Sequence, residues 1–489
     1  MGVTASAISR VTGVEVSYKN FNTGAAAMLP QRLAIIGTGN TGVSYSTDKY
    51  EVEASAADVA ERYGYGSPLH LACKQLFPTS GSSATFPVTI YPIAAGNSDV
   101  AATGAITITG PSTAAGSGTV TIGGIDADFA VTKAETAAEL ATALVVAINA
   151  VSDMPVVAAV DNTDNFKVNL TAKWKGANGN RIKISAECDA AGITLTLTAM
   201  SGGAGVPSVA ATLAKINTVW ETMILNTFDY TDSGLLNELY EFGNSRWGTL
   251  VKKPILVATG CTDNYSTRTA ITDARPTDYI NFLVVSVGSK ELPWVIAAKA
   301  MVNDILTTAD SNPAQNYKGL LTGLAAGDDT EQEDYSVRNM SVGKGSSTNI
   351  KNGSVAQLND IVTMYHPTSE GKYPSRRYVV DLIKLMNVVY NVRLIMEADS
   401  VVGAPLVSDS TITTNASAIQ PKIVKGWLAN LANSLALKAV IGDQDFTKKN
   451  IVVEIDSENP KRLNVTFPVK LSGNVEVASV DILFGFYLG

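Results

Sequence analysis

Residues 32–42 read RLAIIGTGNTG. An apolar run of this length, bounded by glycine, predicts a short buried strand that runs into a tight loop. Gly37, Gly39 and Gly42 match the spacing GxGxxG, and Glu53 or Asp58 lies near the distance at which a ribose-binding acid is sought. A dinucleotide site needs a helix to begin at once, so that its first amides meet the pyrophosphate. Here Val43-Ser44-Tyr45-Ser46-Thr47 follows instead, and a run of β-branched and hydroxyl-bearing residues is poor sequence for a helix interior. The stretch therefore announces an α/β fold with a glycine-rich loop, not a nucleotide pocket.

The α/β reading extends in both directions. Ser55 stands as an N-cap before a helix to about residue 63, and Ser67-Pro68 opens a second helix to residue 77, with Gly64 and Gly66 between them. Upstream, in residues 11–21, Val14, Val16 and Tyr18 alternate with Glu15, Ser17 and Lys19, the period of a half-buried strand. Such a strand cannot bury its face alone.

Residues 83–206 change character to Gly, Thr, Ala and Val with alternating runs, interrupted by one helical pattern at 136–150 and flanked by Gly-, Ser- and Pro-rich connectors. That predicts a β-rich surface module inserted into a host whose chain resumes near residue 207. From 207 to 364 strands and helices alternate again, as in an α/β domain. The part from 365 to 489 begins with helices over 376–397 and 421–440 and then turns to strands. Leu463, Val465, Phe467, Val469 and Leu471 share one face, and Pro468 favours an edge. After 472–474 the apolar set continues as Val475 and Val477, then Val480, Ile482, Phe484, Phe486 and Leu488. The change of parity predicts a β-bulge near Ala478-Ser479. The expected fold class is thus a mixed α+β, α/β multidomain chain: an outer α/β domain (21–82 and 207–364), the inserted module (83–206), an N-terminal arm (1–20) and a C-terminal α/β domain (365–489).

Composition removes several function classes. A length of 489 residues exceeds what one core fills. Charged residues are 17%, below the roughly 25% of an average soluble chain, which suggests that much surface meets other protein. The net charge of −8 supplies no basic footprint for nucleic acid. No run reaches the roughly 20 apolar residues of a membrane helix, and MGVTASAISRVTG carries no secretory pattern, so synthesis in a cytoplasm is expected. Cys73, Cys188 and Cys261 are widely spaced without CxxC, and His70 and His366 fall in no metal-binding spacing. Lys344 in VGKGSSTN misses the phosphate-loop pattern, because glycine follows the lysine. No GxSxG positions a serine nucleophile, and Asp328-Asp329 lies in an acidic run that reads as a solvated loop. No catalytic, cofactor or metal residue is expected.

The order of parts resembles the contractile phage tail sheath family, in particular the Mu-like sheaths. The resemblance is carried by NFNTG (20–24), RLAIIG, ADVAERYGYGSPLHLACKQLF (57–77), Ser245-Arg246-Trp247-Gly248, the segment 310–323 before the acidic loop, Gly353-Ser354-Val355 leading to Val362-Thr363-Met364-Tyr365, and the Arg-x-Asn-Val run with a long final strand over 459–488. It covers most of the chain except the inserted module, and its specificity lies in the order of motifs that are weak singly.

The resemblance implies a structural subunit that stacks as hexameric rings around a tail tube in a metastable extended state and contracts to drive the tube through a host envelope. Its implied partners are further copies of itself, the tube protein, and the baseplate and tail terminator proteins, in the virion after assembly in host cytoplasm. It needs no ATP or cofactor. A sheath from a tailocin or a type VI-like secretion device is the near alternative. An Ig-like surface or decoration protein would explain the inserted module alone. Two sets of site residues follow. Val14, Val16 and Tyr18 at one end and Val480, Ile482, Phe484, Phe486 and Leu488 at the other are expected to exchange strands between subunits. Arg376, Arg377, Lys384, Lys422 and Lys425 are candidate contacts to the tube.

Overall fold

The computed structural model describes residues 26–52, 55–78, 83–371 and 374–485. Two compact units divide the chain, one of Met28–Met386 and one of Asn387–Gly489 with Met1–Ala27. In the first, β1 (Leu33–Gly37), β2 (Tyr50–Val52), α1 (Ala56–Tyr63), α2 (Pro68–Leu76) and β3 (Val88–Pro92) open the fold. The expected caps are in place: the Ser55 side chain accepts from the amide of Ala57, and that of Ser67 from the amide of His70.

A second group follows: β4 (Thr103–Thr109), β5 (Gly116–Ile122), β6 (Ile125–Val131), α3 (Ala137–Ala150), β7 (Val156–Val160), β8 (Lys167–Ala172), β9 (Ile184–Cys188) and β10 (Thr194–Ser201). The chain then gives α4 (Ala210–Ala214), β11 (Met223–Asn226), α5 (Ser233–Trp247), β12 (Leu256–Cys261), α6 (Tyr265–Thr272), β13 (Asn281–Val285), α7 (Pro293–Ala300), a π-helical turn at Met301–Ile305, and α8 (Leu306–Ser311). β14 (Leu320–Ala325), α9 (Tyr335–Gly343), β15 (Asn349–Asn352) and β16 (Val355–Leu358) complete this stretch.

A six-stranded sheet in the order β13-β12-β11-β1-β3-β2 forms the host core. Its pairs are parallel except at β2, which is antiparallel to β3. Leu33, Ala34, Ile35 and Ile36 are wholly buried, as a parallel strand covered on both faces must be. The strand at 88–92 corrects the expected start of the inserted module. β3 pairs with β1 from Leu33↔Val88 to Gly37↔Pro92 and belongs to the host sheet. Its sequence, VTIYP, gave no sign of this, since a buried strand looks the same in either setting.

The module itself lies between paired crossings at Val100 and Ala204, each of which donates its amide to the other's carbonyl at 2.9 and 3.1 Å. Two antiparallel sheets, β10-β4-β8-β7 and β6-β5-β9, make its frame. α3, opened by a full capping box between Thr136 and Glu139, turns Leu140, Leu144 and Ile148 inward.

α10 (Val379–Met396) runs across the division between the units, beginning three residues later than the pattern at 376–397 suggests. The second unit contains α11 (Pro421–Leu437), α12 (Gln444–Asn450), β17 (Val452–Ile455) and β18 (Leu463–Thr466). Val424, Leu428, Leu431 and Leu435 of α11 form its buried stripe, together with Val388, Ile419, Val440, Ile441 and Ile451. β17 and β18 pair antiparallel from Val452↔Thr466 to Ile455↔Leu463. The strand expected to reach residue 471 stops at Thr466, because Pro468 has no amide to donate. Phe467, Val469 and Leu471 nevertheless pack on the unit's core, and Leu471 bridges to Ile441.

Candidate assembly surface

Several of the groups that sequence motifs offered for chemistry are engaged in holding the fold. Gly37 ends β1 and the next element is β2, so no helix opens directly from the glycine-rich loop. The Gly39 amide donates to the Tyr45 hydroxyl at 3.0 Å, and the Tyr45 hydroxyl donates to the Ile93 carbonyl at 3.0 Å. Lys344 pairs with Asp273 at 3.1 Å, and His366 sets Nε2 3.2 Å from the same carboxylate and Nδ1 2.7 Å from the Met364 carbonyl. Burial pushes the Cys261 thiol up to about 11 and raises that of Cys73 further, the opposite of an activated thiolate. Among the described residues no cluster of His, Cys, Asp and Glu is fit to hold a metal, and no helix is long and apolar enough to cross a membrane.

In an open parallel sheet the ligand crevice lies beyond the strand ends where the winding reverses. Here that point is between β1 and β11, and the module fills it. Asn178 donates Nδ2 to the Thr227 carbonyl at 3.0 Å and accepts from the Trp174 indole at 2.9 Å. Arg181 clamps Asp229 through two hydrogen bonds of 2.8 and 3.0 Å and reaches Asp263 at 2.6 Å. The Tyr230 hydroxyl donates to Asp263 at 2.6 Å. Trp174 and Trp294, both essentially buried, meet edge to face at 5.5 Å. Nothing in the spacing of 174–181 signals this contact, because its partners lie about 50 to more than 100 residues away in sequence.

The surface with an unanswered physical demand is at the C-terminal end. Val475, Val477, Val480, Ile482, Leu483 and Phe484 expose 85, 75, 75, 79, 96 and 91% of their surface. Single exposed apolar residues are ordinary, but a continuous run of them marks a contact surface. Among the described residues, 472–485 form no strand, so the bulged strand expected there is not present within this one chain. A strand exists only through a paired neighbour. The same unit carries a sheet of just two strands, β17 and β18, with Val452 of β17 half exposed. Val14, Val16, Tyr18, Phe486 and Leu488 lie outside the described residues.

The five cations proposed for a tube contact fall into different settings. Arg376 is exposed and lays its guanidinium over the Tyr279 ring at 4.3 Å. Arg377 is buried, and Lys384 is wholly buried with Asp381 at 3.0 Å. These two are therefore not surface charges in this chain, and Arg376 and Arg377 precede α10 rather than ride on it. Lys422 and Lys425 sit exposed on the first turns of α11, with Lys422 Nζ donating to the Asp409 carbonyl at 2.8 Å.

No family model matches the chain. A Mu-like prophage FluMu tail sheath protein of Haemophilus influenzae is 27% identical over 478 residues, covering 95% of this chain and 96% of that protein. Among solved structures, a sheath tail protein of Listeria innocua aligns over 92% of this chain and 94% of its own at 12% identity and a TM-score of 0.49. The contracted helical sheath of the anti-feeding prophage aligns over 98% and 99% at 9% identity and a TM-score of 0.48. Along nearly its whole length, then, the chain is similar to a Mu-like prophage tail sheath protein, which bears out the resemblance to the contractile phage tail sheath family carried by its motifs.

Proposed function

We propose that this chain is the self-assembling structural subunit of a phage-type contractile tail sheath. The observation that carries the reading is the end-to-end similarity to a tail sheath protein, with neither chain having a long unmatched part. The role needs no catalysis: free energy is stored in contacts between copies when the extended sheath assembles, and is released when those contacts rearrange. In this reading copies stack as hexameric rings around a tail tube, with the baseplate and the tail terminator bounding the polymer.

The exposed run 475–484 supports a way for copies to join. Its side chains lose apolar surface to water, at about 25 cal/mol per Å², unless another chain covers them. Adding the run as a strand to a neighbour's sheet would hide those side chains and pair the backbone as well. The N-terminal alternation Val14, Val16 and Tyr18 would do the same at the other end. Lys422 and Lys425 are the cations best placed to steer docking on an acidic tube, since rim charges tune association more than folding.

Negative-stain electron microscopy of the purified chain tests the function. Wide hollow tubes or stacked rings are expected at high protein concentration. A chain that stays monomeric under all polymerising conditions, with or without a tube, would overturn it.

A further inference from the structure

A small, partly open space of about 140 Å³ lies where the module meets the host. It is lined by Lys74 of α2, Gly123, Gly124 and Ile125 of the β5–β6 turn, Glu291, and Leu324 of β14. Gln75 lines it as well, and Leu71, Leu292 and Val295 complete the walls. The turn fits because it has no side chains. Gly123 and Gly124 hold φ of 59° and 78°, and a Cβ on Gly124 would overlap the Glu291 carboxylate. The carboxylate of Glu291 is therefore seated against the module's backbone at Gly124.

We propose that Glu291 is a pH-sensitive latch: protonated, it lets the β5–β6 turn of the module close on the host, and ionised, it loosens that turn.

The charges facing it set the direction. Burial, with the carboxylate of Asp126 on β6 as second cause, pushes Glu291 up to about 7, while Lys299 of α7 and Lys74 of α2 oppose the shift. Lys74 is already committed to Asp153 at 2.5 Å. The lining residues from β14, Gly323 and Leu324, carry no charge. His70, one turn before Lys74 on α2, is pushed down to about 4 by burial and does not titrate in the same range. A carboxyl raised above its unfolded value favours the closed, protonated state at low pH. Closure therefore weakens as pH rises from the ordinary glutamate range through 7.

Hydrogen–deuterium exchange of the full chain, followed on peptides that cover 118–128 and corrected for intrinsic rates, reads the latch. Protection in the wild-type turn should be at least roughly tenfold lower at about pH 8.5 than at about pH 5.5. Glu291→Gln keeps the shape without the titration, and its protection should be the same at both pH values. Asp126→Asn, which leaves Glu291 in place, should move the midpoint of the wild-type change to lower pH. Protection independent of pH in the wild type would overturn the latch. So would a pH dependence that survives in a folded Glu291→Gln chain, or, should that chain not fold, a midpoint that Asp126→Asn leaves unmoved.

Discussion

Gly260, near the end of β12, shows how little slack the host core has at the scale of one residue. A Cβ there would overlap the carbonyl of Pro293 at the start of α7, and backbone cannot swing aside as a side chain can. Gly260→Ala should therefore lower stability by at least about 3 kcal/mol, by forcing the helix off the sheet. Urea unfolding of the variant checks this, and an unchanged midpoint would show that α7 shifts freely. His70 carries a pH-dependent part of the stability. It is buried, its Nδ1 accepts the Gly66 amide at 3.0 Å, and burial pushes it down to about 4, with Asp153 opposing and Lys74 and Lys173 adding to the shift. Its contribution is whole above the unfolded value of about 6.5 and is lost as pH falls from there to about 4, up to about 3 kcal/mol. The difference in unfolding free energy between wild type and His70→Asn, measured from pH 7 downward, should shrink over that window. The sequence did not show this burial, and it equally hid that of Arg377 and Lys384. A cation reads as surface until its partners are known, and the Asp381 beside Lys384 looks like any i, i+3 pair on an exposed helix.

At the scale of elements, local chemistry was legible where the signal is local. Ser55 and Ser67 cap the helices they were expected to open, the helical pattern at 136–150 is α3, and the run at 33–37 is a buried strand. What could not be read is which elements pair. β3 lies in the stretch assigned to the module yet pairs between β1 and β2 in the host sheet, and 174–181 looks like a turn but fills the host's crevice. The module was expected to be a removable surface insertion. Its docking leads to a different expectation. Replacing 97–204 by a short glycine linker is geometrically possible, since Val100 and Ala204 are hydrogen-bonded neighbours. It would, however, strip Trp174 from the buried Trp294 and take Arg181 away from Asp229 and Asp263. Exposing a large buried aromatic side chain costs about 3 kcal/mol or more. The deleted chain should unfold at clearly lower temperature or fail to accumulate in soluble form. Equal melting of the two chains would restore the independent module.

For the whole molecule, the question is what one chain leaves undone. Among the described residues, the unit that contains 387–485 closes a core around α11 and has a sheet of two strands, while large apolar side chains from Val475 to Phe484 stay in water. A two-stranded sheet is marginal by itself, and a neighbouring chain that adds a strand supports both the sheet and the strand. In the sheath proposed above, backbone pairing of that kind would also act as a tether that survives when the bodies it joins rotate and move apart. Fold and assembly are then separable by truncation. Removing 479–489 takes away Val480, Ile482 and Phe484, which contribute nothing to the unit's own core because they are exposed. That chain should keep the wild-type circular dichroism and melting temperature to within about 1 kcal/mol of stability, and it should form neither rings nor tubes. Removal of residues 1–20, which takes Val14, Val16 and Tyr18, should have the same outcome if both ends serve exchange. Normal tubes from either truncated chain would exclude that end from the joint. Loss of folding from the 479–489 truncation would mean that the exposed run completes its own subunit instead.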